Sequence, residues 1–319
     1  MTKTEAKIKT IVLGLSLSEN EEGLVKFATN MADSLGSKLV LSHVIRPFHY
    51  YAYAGEAPVF PVDSYGPVVD ELDETHALKK LDAIKASIHD SLQVELRICH
   101  QEPAEGLEEI GSDLNADLIL VGSDYSPSMW QGVSTSISLM KYSDRPVLVV
   151  PNKAGTIFEK DLSIFCGDDL SQSCERPTLY ALSLAEALRA KTMRHFNIRD
   201  MSEEDINRMI EHVRTAAVLG KITEDVANKV EHYREKIVEE TQRQLNLRMS
   251  KANSNISIRQ EVYFGKVNQV LSDILSEDKD VAKLLVFGKH HIFHTKSFSL
   301  GKVPYPTMLQ QGVAVLVVP

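Results

Sequence analysis

Cysteine is scarce in this sequence, tryptophan scarcer still, and long apolar runs are missing altogether. Of 319 residues, three are Cys and one is Trp. Cys99, Cys166 and Cys174 are scattered and form no Cys-x-x-Cys pair. That spacing argues against a disulfide frame or a thiolate metal site and leads us to expect reduced, mostly buried thiols. No apolar run reaches the roughly 18 residues a membrane helix needs. The short apolar stretch Ile11–Leu17 falls below signal-peptide length and reads as a strand, so a cytoplasmic protein without membrane association is expected. Positive charge is also in short supply: the formal net charge is −9, which argues against a general nucleic-acid binder. The deficit is uneven. Residues 1–152 carry 12 Lys/Arg against 22 Asp/Glu, and residues 153–319 carry 23 against 22. On electrostatic grounds an anionic ligand should prefer the second half.

What the chain does have is an internal repeat. Ala116-Asp-Leu-Ile-Leu-Val-Gly122 leads to Arg145-Pro-Val-Leu-Val-Val-Pro151. Ala282-Lys-Leu-Leu-Val-Phe-Gly288 likewise leads to Val313-Ala-Val-Leu-Val-Val-Pro319. Upstream, Val94–Cys99 is echoed by Ile256–Tyr263. Two domains, 1–152 and 153–319, are therefore expected, joined by a short polar linker around 152–159.

Within the first half, strands are expected at 11–17, 38–45, 93–99, 116–122 and 146–150. Ser18 with Glu21 has the spacing of a capping box. Leu24, Phe27, Ala28, Met31 and Leu35 follow at helical spacing, closed by Gly36. Further helices are expected over about 68–90, from Pro103, and near 132–142. Strands of the second half are expected near 162–166, 191–198, 256–264, 282–288 and 313–318, with an apolar helical stripe through Val267, Val270, Leu271, Ile274 and Leu275. Strands alternating with helices imply a parallel α/β sheet with right-handed crossovers. Their near-continuous apolar character implies helices on both faces.

Two segments break the repeat. Residues 46–66 form a loop rich in Pro and aromatics, read as a packed surface loop with a ligand lid as the alternative. At the corresponding place, about 202–249, the second half carries a helical hairpin. Ser202 and Asp205 cap its first helix, Gly220 breaks it, and a second helix is expected from about Thr223 to Met249. The hairpin either packs on its own domain or carries a partner interface.

The strand and helix order, the Ala-Asp-Leu-Ile-Leu-Val-Gly-Ser strand and the Pro-Val-Leu-Val-Val-Pro strand resemble the universal stress protein family, once per half. The resemblance implies two tandem open, mostly parallel five-stranded sheets flanked by helices, related by pseudo-two-fold symmetry, as in the adenine-nucleotide α-hydrolase-like folds. It also implies an intramolecular pseudo-dimer through the last strands. Exposed apolar edges such as Val147–Val150 and Val315–Val318 would in any case seek pairing. Homodimerisation through other surfaces is a further expectation.

Many members of that family bind ATP through Gly-x2-Gly-x9-Gly-Ser/Thr after the fourth strand and an Asp ending the first. Glycines let the backbone approach phosphate and offer N–H donors. In the first half Ser16 stands where the Asp is expected, Tyr125 replaces the second glycine, the loop to Gly132 is short, and Val133 replaces the hydroxyl. No ATP is expected there. The second half keeps the spacing: Asp168 for the nucleoside, Gly288 and Gly301 for backbone approach, His291 in place of a glycine, and Lys302 in place of Ser/Thr, where it can meet phosphate as a point charge. The ligand-binding candidates are thus Asp168, Gly288, His291, Gly301 and Lys302.

Other chemistry is poorly supported. His290, His291 and His294 lack the spacing and partner ligands of a zinc site. Gly301-Lys302 lacks the upstream glycine and following Ser/Thr of a P-loop. Neither GxGxxG after a first strand nor GxSxG occurs. Adjacent Asp168 and Asp169 diverge, so a cap for the next helix is their plainer role. The expected function is a non-enzymatic regulatory or binding protein of the stress response. It requires no cofactor, takes ATP or another anionic ligand in the second half, and acts on a protein partner the sequence does not identify. The alternative is an interaction module working through the hairpin or the aromatic loop without nucleotide.

Overall fold

The computed structural model describes residues 7–18, 21–46, 62–123, 134–151, 161–223, 225, 232–250, 256–277, 281–289 and 312–319, with backbone only for 62–67. The first half runs β1 (Thr10–Gly14), α1 (Glu22–Leu35), β2 (Lys38–Ile45), α2 (Val62–Ala86), β3 (Val94–His100), α3 (Pro103–Asp113), β4 (Leu118–Ser123), α4 (Thr135–Tyr142) and β5 (Val147–Pro151). The second half runs β6 (Leu162–Gly167), a 3-10 turn at Gln172–Cys174, α5 (Glu175–Ala187), β7 (Thr192–Arg199), α6 (Glu203–Val218), α7 (Tyr233–Met249), β8 (Ser257–Phe264), α8 (Val267–Ser276), β9 (Ala282–Gly288) and β10 (Ala314–Val318). Among the described residues, no helix is long and apolar enough to cross a membrane.

The strands form one sheet in the order β3-β2-β1-β4-β5-β10-β9-β6-β7-β8. Each half contributes the same five-strand order and every pairing within a half is parallel; the two halves join antiparallel through β5 and β10. The expected pairing of the last strands is therefore present, and it fuses two five-stranded sheets into a ten-stranded one.

Alternate residues of the strands feed two cores, one on each face. Leu13, Leu148, Ile164, Leu284 and Leu316 share one face with Phe27 of α1 and Leu184 of α5. Val12, Val149, Phe165, Leu285 and Val317 share the other with Leu107 of α3 and Leu275 of α8. Both cores cross the seam. At the seam Leu316 faces Leu148 and Val317 faces Val147, and all four are buried. Each such side chain gains about 1.5–3 kcal/mol from burial, so neither half can expose its last strand cheaply.

Local signals mostly hold. Gly36 closes α1 in the left-handed region at φ 63°, where a side chain would be strained. Pro103 occupies the first turn of α3. Ser202 and Asp205 form a reciprocal capping box on α6. The box expected at Ser18 does not form: α1 has no side-chain cap, and the Glu21 carboxylate reaches back to residues 16 and 17 instead. The last residues of the expected aromatic loop, 62–66, are helical and open α2. Residues 47–61 of that loop and the linker at 152–160 lie outside the described residues.

The hairpin between β7 and β8 packs on its own half. α7 lies against β7 and β8, burying Thr241, Leu245 and Met249, while α6 buries Ile206. Its last helix is described from Tyr233 to Met249; residues 224 and 226–231, where the second helix is expected to begin, lie outside the described residues.

Candidate functional site

In open parallel sheets a crevice forms at the carboxyl ends of the strands, where the strand order reverses. Here the reversal lies between β1 and β4 in the first half and between β6 and β9 in the second. Gly14 and Gly167 end the two central strands. A Cβ on Gly14 would lie 3.0 Å from Val121, and one on Gly167 would lie 2.3 Å from Phe287. Val121 and Phe287 each precede a glycine at the end of the neighbouring strand, Gly122 next to last in β4 and Gly288 last in β9. The two halves thus superpose residue by residue, and the next positions agree: Leu17 and Leu170 both adopt left-handed backbone, at φ 60° and 70°. Ser16 therefore corresponds to Asp169, not to Asp168.

That shift separates two carboxylates with different surroundings. Asp168 is buried, 4% exposed, and fully engaged. Its Oδ1 accepts from the Leu170 N–H at 2.7 Å and lies 3.1 Å from Nη1 of Arg248. Its Oδ2 lies 2.9 Å from Nε2 of His195, itself fully buried. Nδ2 of Asn197 donates to the Asp168 carbonyl at 2.7 Å. Arg248 also donates through Nη2 to the Ser171 carbonyl at 2.6 Å. A nucleoside contact through Asp168 would require one of these partners to give way.

Asp169 is exposed. Its Oδ1 accepts from the Ser171 N–H at 2.9 Å and from the Cys174 thiol at 3.3 Å. Burial pushes the Cys174 thiol up to about 12 and raises Cys166 further still, so both stay protonated and unreactive near neutrality. Ligand atoms of Asp168, Asp169 and Cys174 lie within 4.8 Å of one another. The Arg248 guanidinium already supplies the positive charge at that cluster.

The corresponding place in the first half is filled differently. Glu21, the counterpart of Cys174, accepts from the Ser16 N–H at 2.7 Å, the Ser16 hydroxyl at 2.9 Å and the Leu17 N–H at 2.8 Å. The donors that an anion would meet at the end of β1 already hold an internal carboxylate.

Of the sequence candidates, Asp168, the residue after β6, and Gly288, the last of β9, flank the second-half crevice. His291, Gly301 and Lys302, with His290 and His294, lie outside the described residues, as do Tyr125, Gly132 and Val133. Sequence reasoning missed Glu21, His195, Asn197 and Arg248. The one available signal was the strand at 192–199, where His195, Asn197 and Arg199 recur at every second position on one face of a central strand.

Residues 7–151 match the model of the Universal stress protein family. No curated protein matches the chain. Among solved structures, a universal stress protein from Archaeoglobus fulgidus DSM 4304 is 14% identical and covers 98% of this chain and 97% of its own, with a TM-score of 0.59. A protein from Pseudomonas aeruginosa UCBPP-PA14, described as a universal stress protein, is 12% identical over 98% of this chain and 94% of its own, at 0.54. A functionally unknown protein from Pseudomonas aeruginosa PAO1 is 12% identical over 98% and 93%, at 0.52. At these identities the structures establish the fold, and they do so over both halves at once. The first half thus matches the Universal stress protein family over residues 7–151, and the second half repeats its strand order, so that the whole chain has the fold of the tandem structures it resembles.

Proposed function

We propose that this protein is a non-enzymatic regulatory binding protein of the stress response, built from domains 1–152 and 153–319, with its ligand site in the second. The ligand is ATP or another small anion, held at the β6/β9 crevice by Gly288, Gly301, Lys302 and the β6 end. The first half serves as a structural partner.

The contrast between Glu21 and Cys174 carries this reading. At the end of β1 the Glu21 carboxylate occupies the backbone donors and would repel an incoming anion. The equivalent position in the second half holds a neutral thiol; the Leu170 N–H there is held by Asp168, whose charge the Arg248 guanidinium offsets. The charge balance of the halves, −10 against +1, points the same way. Isothermal titration with ATP tests the proposal. Saturable heats that vanish in Lys302→Glu support it, and flat heats from the unmodified protein overturn it.

A second reading is favoured by the hairpin surface, where Val218 and Leu219 are 87% and 62% exposed and Leu247 is 54% exposed. Apolar groups in that setting suit a protein partner, and flat ATP titrations with function lost in Val218→Asp would select this reading.

A further inference from the structure

Buried polar atoms without a hydrogen-bond partner are few in a folded protein, and each calls for an account. Among the described residues there are five, and four sit together: His195 Nδ1, Asn197 Oδ1, Arg199 Nε and Arg248 Nη1. His195, Asn197 and Arg199 lie on one face of β7, and Arg248 comes down from α7. The layer between the hairpin and the strand ends is therefore poorly satisfied, in contrast to the sheet beneath it.

The hairpin is also lightly anchored. Of the 16 residues of α6 only Ile206 is buried, and of the 17 residues of α7 only Thr241, Leu245 and Met249. Its polar attachments to the sheet include Arg248 to Asp168 and Ser171, Arg199 Nη2 to Thr241 Oγ1 at 2.8 Å, and the Arg234 guanidinium 5.4 Å from the centroid of the Phe264 ring. A few apolar contacts with a poorly satisfied polar layer are the features of a segment that opens below the global unfolding free energy. Removing one member of a buried ion pair leaves the other uncompensated, so such a latch is sensitive to either partner.

We propose that the α6–α7 hairpin is a releasable strap over the carboxyl ends of β6 and β7, latched by Arg248 on Asp168. Opening it uncovers a preformed polar cleft of Asp168, His195, Asn197 and Arg199, beside the crevice assigned to the ligand. The planar guanidinium bridges a carboxylate, as an ion pair at 3.1 Å, and a carbonyl, through one N–H donor at 2.6 Å. A cationic ligand edge offering two parallel N–H groups, as an amidinium or a protonated amino-heterocycle does, has the chemistry to take its place. Only this last step rests on the function proposed above; the latch itself is tested without ligand.

The test is amide hydrogen exchange on the full chain, comparing the unmodified protein with Arg248→Ala, with Asp168→Asn, and with Arg243→Ala, whose exposed side chain pairs with Glu240 on the same helix. The strap predicts that exchange over 233–249 speeds up at least tenfold in both latch variants, while β9, β10 and the first half keep their protection and Arg243→Ala leaves all rates unchanged. Unchanged exchange over 233–249 in the latch variants would overturn the proposal. So would loss of protection throughout the second half, which would make the hairpin an inseparable part of the fold. A cleft open to donor pairs further predicts that acetamidine accelerates exchange over 233–249 in the unmodified protein, which sodium chloride at equal ionic strength does not; equal effects of the two salts would overturn that assignment of ligand chemistry.

Discussion

Glu21 holds Ser16 by two bonds at once, accepting from its N–H at 2.7 Å and from its hydroxyl at 2.9 Å. With a third bond from the Leu17 N–H, this carboxylate secures a turn in which Leu17 is held at φ 60°, a conformation that costs of order 1–3 kcal/mol for a non-glycine residue. Glu21→Ala leaves two backbone donors without a partner in a half-buried turn. The expected loss is about 1–3 kcal/mol, read as a lowered urea midpoint at unchanged slope. A midpoint equal to that of the unmodified protein would mean that water replaces the carboxylate at no cost.

The seam between the halves is the second test. Leu316 and Leu148 face each other across β10 and β5, and neither is exposed. Either Leu→Ala change should cost about 2–5 kcal/mol by loss of burial and creation of a cavity. Because the two side chains share one space, the double variant should depart from additivity by about 0.5–3 kcal/mol. Full additivity in denaturation would contradict direct packing across the seam.

Gly167 gives a third. A methyl group there meets the Phe287 ring at 2.3 Å, and interiors tolerate such insertion poorly, at about 1–3 kcal/mol. Gly167→Ala should therefore destabilise the chain. Phe287→Leu, which shortens the offending ring, should cost less in the Gly167→Ala background than alone. Equal costs in both backgrounds would show that the ring moves aside freely.

Much of the fold could be read from the residues because it repeats. Arg145–Pro151 and Val313–Pro319 are nearly the same string, and strands this apolar have few places to go other than a doubly covered sheet. The site was harder for a physical reason. Asp168 could be named, but not its burial, because His195 is a neighbour only through strand pairing and Arg248 arrives from a helix inserted between β7 and β8. The spacing of Ser18 and Glu21 suggests a cap by local rule, yet the carboxylate finds better donors four and five residues upstream. The register of Ser16 with Asp169 depends on left-handed turns at Leu17 and Leu170 that neither leucine announces.

The thiols supply a prediction about alkaline pH. Burial raises the Cys174 thiol from 9.0 to about 12, and burial, followed by the hydrogen bond to Glu261, raises the Tyr263 phenol from 10.0 to about 12. In each case the native state keeps a proton that the unfolded chain gives up. As pH rises above 9, the unfolded state comes to bind fewer protons than the native one, so the unfolding free energy falls with pH. Below pH 9 the contribution is constant. At pH 10.5, Cys174 accounts for about 2 kcal/mol of that fall, and Tyr263, starting later, for less. Urea denaturation at pH 7.5 and pH 10.5 should show the decline. Cys174→Ala should flatten it by about 2 kcal/mol, whatever the substitution costs at neutral pH. A decline of the same depth in the variant would show that Cys174 ionises equally easily in both states, and that burial does not hold its proton.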